Sequence, residues 1–346
     1  MTATWSFVST MHGLPETVLP CIAHHLQSDA AMLHIYLDAP NPVVEAALAN
    51  HPRCVVTVCD ADYWTWRQQG RPDKIVVRQL ANLRHARRMS TSDWLVHVDS
   101  DEFLHPAAPG AALQLGPLLG AVPPEHDWVR FVPHERVVIR GQTPATIFDG
   151  VFRSPTENDD LINAAYGDGA KYLWRGLTGH NRGKIGFRRG TQHIPRLHFL
   201  ARKSDDQTPS RLADAPPFTT LSEIPLLHFE GWSPLHWTSK MARMAMKGRI
   251  KGLNPGRSSC LRYLQKAAGQ DLLWLHENCQ SIASDKIGIL EDAGMMHRFP
   301  VRIAETTKAT FPGLDLSFNP AELEKKMSLS LGDIASMSRG AALPPA

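Results

Sequence analysis

Two aspartates that directly follow an apolar run are the residues of this sequence best suited to chemistry. The run from Trp94 to Val98 has the length and composition of a buried strand, and Asp99 and Asp101 come straight after it. Residues two apart in an extended segment point the same way, so both carboxylates could reach one ion. Magnesium or manganese held there would neutralise a departing diphosphate. The competing interpretation is that acidic residues after a strand only begin a solvated loop or cap a helix.

The segments before Asp99 alternate between strand-like and helix-like patterns. We expect strands at residues 5–10, 33–37, 54–59 and 94–98, with helices at 15–27, 43–49 and 79–89. Strands separated by helices indicate βαβ units with right-handed crossovers. We therefore predict an α/β fold with a mostly parallel central sheet and helices on both faces. The aspartates would then lie at the C-terminal edge of the sheet, where open α/β sheets bind ligands.

The composition is ordinary for a globular protein of 346 residues, with 43% hydrophobic and 21% charged residues. No apolar stretch is long enough to span a membrane, and the first residues lack a signal-peptide pattern, so a cytoplasmic location is predicted. The net charge of +3 is too small to indicate a nucleic-acid partner. The five cysteines form no C-x-x-C pair, so buried free thiols are expected rather than a disulfide framework.

Positive charge is concentrated in residues 171–203 and 240–251. Basic side chains near a carboxylate-bound metal would attract a phosphorylated ligand and stabilise its leaving group. Solvated faces are an equally good interpretation of both segments. Residues 234–249 have the pattern of a basic helix, for which peripheral contact with an acidic membrane surface is a minority interpretation.

Three segments, in this order, resemble the GT-A fold glycosyltransferases, in particular the family-2-like bacterial enzymes whose metal strand ends in D-x-D-E-F. The segments are residues 94–104 (WLVHVDSDEFL), 181–189 (NRGKIGFRR) and 226–243 (LLHFEGWSPLHWTSKMAR), with a weaker match at 13–25. The resemblance implies a GT-A, Rossmann-like sheet followed by a helical C-terminal region. It also implies transfer of a sugar from a nucleotide donor, with a UDP-sugar expected, to a carbohydrate or glycolipid acceptor.

The resemblance also implies a set of metal ligands. Asp101 matches the direct ligand of Mn²⁺ or Mg²⁺, and Asp99 matches a residue placed to meet both the metal and the nucleotide ribose. His228 matches the late histidine that completes the metal or diphosphate site, and an imidazole is a good manganese ligand. His198, which is flanked by similar apolar residues, competes with His228 for this role.

Five further residues match positions where such enzymes hold the nucleotide. Thr10 and Glu16 follow the first strand, and Asp38 follows the second, where it could instead only form a turn. The other two positions precede the metal strand. They are Asn82 and Arg84.

Lys184 matches the family's G-K segment and could contact the diphosphate. The segment is one residue short of a Walker loop, which removes the main support for an ATPase.

The implied reaction is an inverting displacement in which a carboxylate deprotonates the acceptor hydroxyl. Glu135 is the predicted base because it follows a predicted strand at 128–132, and Asp149 and Glu230 remain alternatives. Two other classes of function stay open. One is a metal-dependent phosphoester hydrolase or nucleotidyltransferase that uses the same Asp pair, and the other is a catalytically silent protein that binds sugar nucleotides.

We expect residues 1–232 to form the nucleotide-sugar-binding and catalytic domain, residues 233–332 a helical region, and residues 333–346 a flexible tail. Between them, the proline-rich residues 204–225 are predicted to form a loop that could close over the donor.

Overall fold

The computed structural model describes residues 2–67, 70–202, 215–246, 253–267 and 271–338. The strands in chain order are β1 (Trp5–Met11), β2 (Met32–Leu37), β3 (Cys54–Val58), β4 (Trp94–His97), β5 (Glu102–Leu104), β6 (Trp128–Phe131), β7 (Pro133–Ile139), β8 (Val151–Arg153), β9 (Lys184–Arg188), β10 (Ile194–Pro195), β11 (Leu200–Ala201), β12 (Phe218–Thr220), β13 (Leu226–His228), β14 (Ser281–Ile282) and β15 (Met296–His297).

The α-helices in chain order are α1 (Pro15–Leu26), α2 (Pro42–Leu48), α3 (Ala61–Trp64), α4 (Ile75–Met89), α5 (Gly116–Ala121), α6 (Asp159–Tyr166), α7 (Pro234–Met246), α8 (Pro255–Leu264), α9 (Asp271–Leu275), α10 (Ser284–Asp292), α11 (Ile303–Thr310), α12 (Pro320–Lys326) and α13 (Leu331–Ser338). A 3-10 helix at Gly167–Tyr172 follows α6, and a π-helix at His276–Gln280 follows α9.

The chain forms two compact units, each assembled from separate segments. Unit 1 comprises Met1–Val132, Arg182–Leu226 and Glu305–Leu316. Unit 2 comprises Pro133–Asn181, Leu227–Ala304 and Ser317–Ala346.

The sheet of unit 1 has the strand order β12-β6-β9-β4-β1-β2-β3. Strands β3, β2, β1 and β4 are parallel neighbours, and β12 is parallel to β6. Only β9 runs against its neighbours, pairing with β4 on one side and β6 on the other. The carboxyl ends of β1, β2, β3 and β4 therefore meet at one edge, which we call the carboxyl edge.

Burial and local signals explain the elements of unit 1. Every residue of β1 and β4 is buried, as expected for strands in the middle of a parallel sheet. Helix α1 begins at Pro15, where a missing N–H costs nothing because the first-turn N–H groups lack helical partners. The core of this unit packs large aromatic side chains, including Trp64, Trp128 and Phe187, against the sheet.

Unit 2 combines a small sheet with most of the C-terminal helices. Its strands lie in the order β15-β8-β7-β13, and β14 pairs with the far end of β7. Asparagine side chains cap α6, α8 and α12 by accepting hydrogen bonds from first-turn N–H groups. The core of this unit centres on Trp237, Met241 and Leu261, which are fully buried.

The predicted fold class is confirmed: the chain is α/β, with a mostly parallel central sheet and a largely helical C-terminal part. The two units, however, interleave along the chain and do not coincide with the predicted ranges 1–232 and 233–332. Part of the predicted tail, residues 333–338, lies in α13, where the apolar side chain of Ile334 is buried in the core of unit 2. Residues 339–346 are outside the described residues.

Two other predicted features fall partly outside the described residues. Of the predicted loop 204–225, residues 204–214 are not described, and residues 218–220 form β12, which pairs with β6. Of the basic segment, residues 247–251 are not described. The five cysteines are free thiols, and four of them are buried. Among the described residues, none of the helices combines the length and apolar character that crossing a membrane would require.

Candidate functional site

The predicted metal-binding aspartates lie at the point where the strand order of unit 1 reverses. The chain passes from β1 to β2 to β3 on one side and then places β4 on the other side of β1. Open α/β sheets bind ligands in the crevice outside such a reversal. Asp99 and Asp101 follow β4 directly, and Thr10 lies near the carboxyl end of β1.

Asp99 is held in place by three side chains of unit 1. Its Oδ2 lies 2.6 Å from the Nζ of Lys184, and its Oδ1 accepts a 2.7 Å hydrogen bond from the amide of Gln79. Its backbone N–H donates to Glu102 at 2.8 Å. Burial alone would lower the pKa of Lys184, but the charges of Asp99 and Glu102 outweigh it and raise that pKa. Lys184 therefore remains a buried cation, 1% exposed, beside an Asp99 side chain that is 30% exposed.

The donor atoms at this edge fit a divalent cation. Lys184 feels the charges of three carboxylates, those of Asp99, Glu102 and Asp101. Three carboxylates and one ammonium have a formal charge of minus two, which a divalent cation would neutralise. Asp101 is partly exposed in the turn between β4 and β5, and its hard oxygen atoms suit Mg²⁺ or Mn²⁺. The residues present thus fit the predicted ion.

Asp38, at the end of β2, is clamped by two arginines. Arg78 donates to both carboxylate oxygens, at 2.7 Å and 2.8 Å, and Arg71 adds a 2.9 Å hydrogen bond. Asp38 also lines a cleft of about 650 Å³ beyond the ends of β2 and β3. The lining combines apolar residues, including Pro40 and Ala61, with charged groups of both signs, so it can accept a flat ring that carries polar substituents.

One face of α4 fixes three strand ends. The successive residues Arg78 and Gln79 bind Asp38 and Asp99, and one turn later the Asn82 amide donates to the Thr10 hydroxyl at 2.9 Å. Arg78 and Gln79 were not identified from the sequence, although polar residues at this helical spacing beside buried alanines and leucine are a usable signal.

The remaining predicted nucleotide contacts lie at other places in unit 1. Glu16 is buried in the first turn of α1, and Arg84 is on the exposed side of α4. Lys184 is directed to Asp99, so its predicted contact with a diphosphate stays a prediction.

Unit 2 contains a second acidic cluster, formed by Glu135, His228 and Glu230. Their ligand atoms lie within 4.8 Å of one another, and all three residues are buried. The trio could therefore offer atoms to a metal ion. His228 approaches Glu230 at 3.1 Å and stacks on His180, with ring centroids 5.2 Å apart.

Both oxygens of Glu135 are occupied. Burial raises the pKa of Glu135, but Arg153, at 2.5 Å, and the hydrogen bonds outweigh it, so the pKa lies below its ordinary value. Gly179 is needed here because a Cβ would come within 2.8 Å of Glu135 and block the approach of its N–H. The donors to the carboxylate are Arg153, Thr178, Gly179 and Gln280.

Glu230 is neutralised in the same way. Arg257 lies 2.6 Å away and Lys240 3.5 Å away, and their charges hold the pKa of Glu230 well below its ordinary value although burial opposes this. The two carboxylates thus already face two guanidinium groups and an ammonium. A metal ion is not needed to balance their charge.

The other predicted alternatives have clear local partners. Asp149 caps a turn by accepting hydrogen bonds from the backbone N–H and the hydroxyl of Thr146. His198 belongs to unit 1, where its Nδ1 lies 2.6 Å from the carbonyl oxygen of Gly183, which identifies Nδ1 as the donor. The roles of Glu135, His228 and His198 stay predictions.

No family model matches this sequence, and no curated protein is significantly similar to it. Solved structures with a similar chain path include residues 1–349 of TarS from S. aureus, at a TM-score of 0.35 and 10% identity over 79% of this chain and 71% of that one. Another is the mannosyltransferase PcManGT from Pyrobaculum calidifontis in complex with GDP-Man and Mn²⁺, at a TM-score of 0.35 and 11% identity over 99% and 85%. HddC from Yersinia pseudotuberculosis has a TM-score of 0.33 and 8% identity over 66% and 93%. Similarity at these levels carries no conclusion about function.

Proposed function

We propose that this protein is a metal-dependent glycosyltransferase that moves a sugar from a nucleoside-diphosphate donor to an acceptor hydroxyl with inversion. The observation that carries the proposal is the group of Asp99, Asp101, Glu102 and Lys184 at the strand-order reversal, whose net formal charge matches a divalent cation. The D-x-D-E-F resemblance is consistent with this placement.

The cleft beside Asp38 is the proposed site for the base and ribose of the donor. Its lining combines apolar residues, including Pro40 and Ala61, with Arg67 and Arg71, so a flat, polar ring can lie against apolar groups with hydrogen-bonding groups nearby. Asp38 is fixed by Arg78, which makes it a rigid acceptor for hydroxyl groups. We expect a UDP-sugar, and GDP is the second nucleotide to test.

Asp101 and Asp99 would hold the metal ion, which supplies neutralisation of the diphosphate charge as that group leaves. The chain's own contribution is to orient these carboxylates. Lys184 and Gln79 restrain both oxygens of Asp99, so this side chain is already oriented before any ligand binds. The role of His228 as a further ligand stays a prediction.

Glu135 is the proposed base for the acceptor hydroxyl. Its lowered pKa keeps the carboxylate ionised at neutral pH, as a base must be, although it also weakens the basicity. Glu135→Gln, which retains the shape but removes the counter-charge of the buried Arg153, should lower the Tm and lose transfer while retaining the binding of nucleotide.

The decisive experiment measures thermal stability and product formation with Mn²⁺ and either UDP or GDP. We expect metal and nucleotide together to raise the Tm, and Asp101→Ala to abolish this shift and to lower turnover by at least about a hundredfold. Glu125→Ala removes the same charge from an exposed position of unit 1 and should behave like the parent protein.

Product analysis separates the alternative classes. With a panel of nucleotide sugars, a glycosyltransferase releases nucleoside diphosphate, whereas a hydrolase or nucleotidyltransferase releases phosphate or pyrophosphate. If neither nucleotide binds in the presence of Mn²⁺ or Mg²⁺, the proposed function is wrong.

A further inference from the structure

We propose that unit 2 carries a separate binding site for neutral carbohydrate, in a pocket beside Trp174. The pocket has a volume of about 490 Å³ and lies wholly within unit 2, so the inference does not depend on the proposed transferase. A volume of this size matches the range of small-molecule sites in proteins.

The pocket has the mixed lining that sugars require. Its lining includes the buried apolar residues Ile162 and Leu173. The lining also includes the carboxylate of Asp159, which can accept hydrogen bonds from hydroxyl groups, and the amide of Asn163, which can both accept and donate them. A sugar presents C–H groups on its faces and hydroxyl groups around its edge, so it needs both kinds of surface.

Trp174 supplies an aromatic surface at this pocket. Among the described residues of unit 2, it is the one large hydrophobic side chain that is exposed, with 37% of its surface accessible. Exposing an indole forgoes the free energy that its burial would contribute. Stacking of a sugar ring would cover this surface.

The backbone beside Trp174 is held in a strained turn. Trp174 and Leu177 exchange two backbone hydrogen bonds across Arg175 and Gly176, and both central residues have positive φ, at 53° and 78°. Turns of this kind favour Asn-Gly or Gly-Gly, and a bulky residue at the first central position costs about 1–2 kcal/mol. The sequence nevertheless places Arg175 there, at the pocket lining. Backbone strain of this kind clusters at functional sites.

Charge at the pocket favours a neutral ligand over an anionic one. The charged residues of the lining are two acids and two bases, namely Glu157, Asp159, Lys171 and Arg175. Glu157 and Arg175 pair with each other at 2.8 Å, which also orients the guanidinium. A phosphate or an acidic polymer would gain nothing from this balance, whereas sugar hydroxyl groups can bond to either sign of charge.

The approach of α8 to the 3-10 helix closes one wall of the pocket. Gly256 permits this, because a Cβ there would lie 2.6–2.7 Å from the backbone of Leu173 and Tyr172. The wall is therefore backbone, whose position side-chain motion does not alter.

The test measures the binding of four trisaccharides to the full chain by saturation-transfer NMR and by tryptophan fluorescence. The trisaccharides are maltotriose, cellotriose, mannotriose and chitotriose. We expect at least one trisaccharide to bind and Trp174→Ala to weaken it by about tenfold or more. Trp174→Phe should retain part of the affinity. Trp66→Ala, which removes another exposed indole, should bind like the parent protein.

Arg175→Asn distinguishes binding from a structural role. Asparagine tolerates positive φ better than arginine, so the Tm should be unchanged or higher while the affinity for the trisaccharide falls. Asp101→Ala should still bind the trisaccharide, and saturating UDP with Mn²⁺ should not displace it, so failure of this proposal and failure of the proposed function are distinguishable. The proposal is overturned if no trisaccharide binds, or if Trp174→Ala binds as tightly as the parent protein.

Discussion

Two acidic clusters in this protein solve the problem of neighbouring carboxylates in different ways. At the carboxyl edge of unit 1, three carboxylates share one lysine, and the Asp99 side chain is 30% exposed. In unit 2, Glu135 and Glu230 are 0% and 3% exposed, and each has its own arginine.

The difference separates a site that can take a cation from a network that is already complete. Removing ions from water is costly, so a buried carboxylate must find its counter-charge within the protein. Unit 2 meets this requirement with its own side chains. At the carboxyl edge Glu102 is also buried, but Asp99 and Asp101 are partly exposed, so a metal ion can reach their oxygen atoms from water.

The largest expected effect comes from opening the closed cluster. Arg153→Met should lower the free energy of unfolding by about 3–5 kcal/mol, because it leaves Glu135 buried without its counter-charge. Urea denaturation measures this directly. Arg298→Ala breaks an ion pair whose partners are 59% and 39% exposed, and it should cost no more than about 0.5 kcal/mol.

A smaller loss of stability is expected at the carboxyl edge. Lys184→Met should cost about 1–3 kcal/mol, because water can partly solvate Asp99 once the ammonium is gone, while the buried Glu102, 3.5 Å from that ammonium, keeps its hydrogen bond from the backbone N–H of Asp99. The same variant should lose nucleotide binding with Mn²⁺, since Asp99 would no longer be oriented. If Lys184→Met destabilises the protein as much as Arg153→Met and leaves nucleotide binding intact, the carboxyl edge is a structural ion-pair network like the cluster of unit 2.

As the pH falls, buried histidines in both units should lower the stability of the fold before the glutamates of unit 2 do. Burial lowers the pKa of His276 to about 3, and burial lowers the pKa of His25 well below its ordinary value. These histidines are buried in the neutral form, so below the unfolded-state pKa of about 6.5 the unfolded chain binds protons that the folded chain does not. The free energy of unfolding therefore falls as the pH falls from about 6.5 toward the pKa of the folded state. The pKa values of Glu135 and Glu230 are also lowered, so their contribution is lost only below about pH 4.

We therefore expect stability to decline between pH 7 and pH 5, with His276 alone contributing on the order of 1–2 kcal/mol. His276→Phe should flatten the dependence of Tm on pH over this interval. Parallel curves for the variant and the parent protein would assign the acid sensitivity to other groups.

Much of unit 1 could be predicted from the sequence because its signals are local. The four parallel strands before Asp99 are recognisable in the sequence as apolar runs. The D-x-D pair is recognisable because it comes directly after the last of these runs. Helix α4 begins at Ile75, earlier than the predicted residue 79, since the β-branched residues Ile75, Val76 and Val77 do not resemble a helix start. That first turn nevertheless precedes Arg78 and Gln79, the residues that hold the two strand-end aspartates.

The non-local parts of the site could not be predicted in this way. Lys184 reaches Asp99 because β9 runs antiparallel to β4, with Ile185 opposite His97. This register pairs residues that are far apart in the sequence, and the periodicity of the sequence does not predict it. The cluster around Glu135 is also non-local, since its donors come from three separate places in the sequence, at residues 153, 178–179 and 280.

The position of β9 in the sheet has a consequence for the order of events during synthesis. β9 lies between β4 and β6, yet it is translated long after both of them. A nascent chain that has emerged only to Phe131 exposes an unpaired edge of β4, a state prone to mispairing. It also carries Asp99 and Glu102 without the ammonium that later neutralises them. The aspartates proposed to hold the metal are therefore synthesised well before the lysine that orients Asp99.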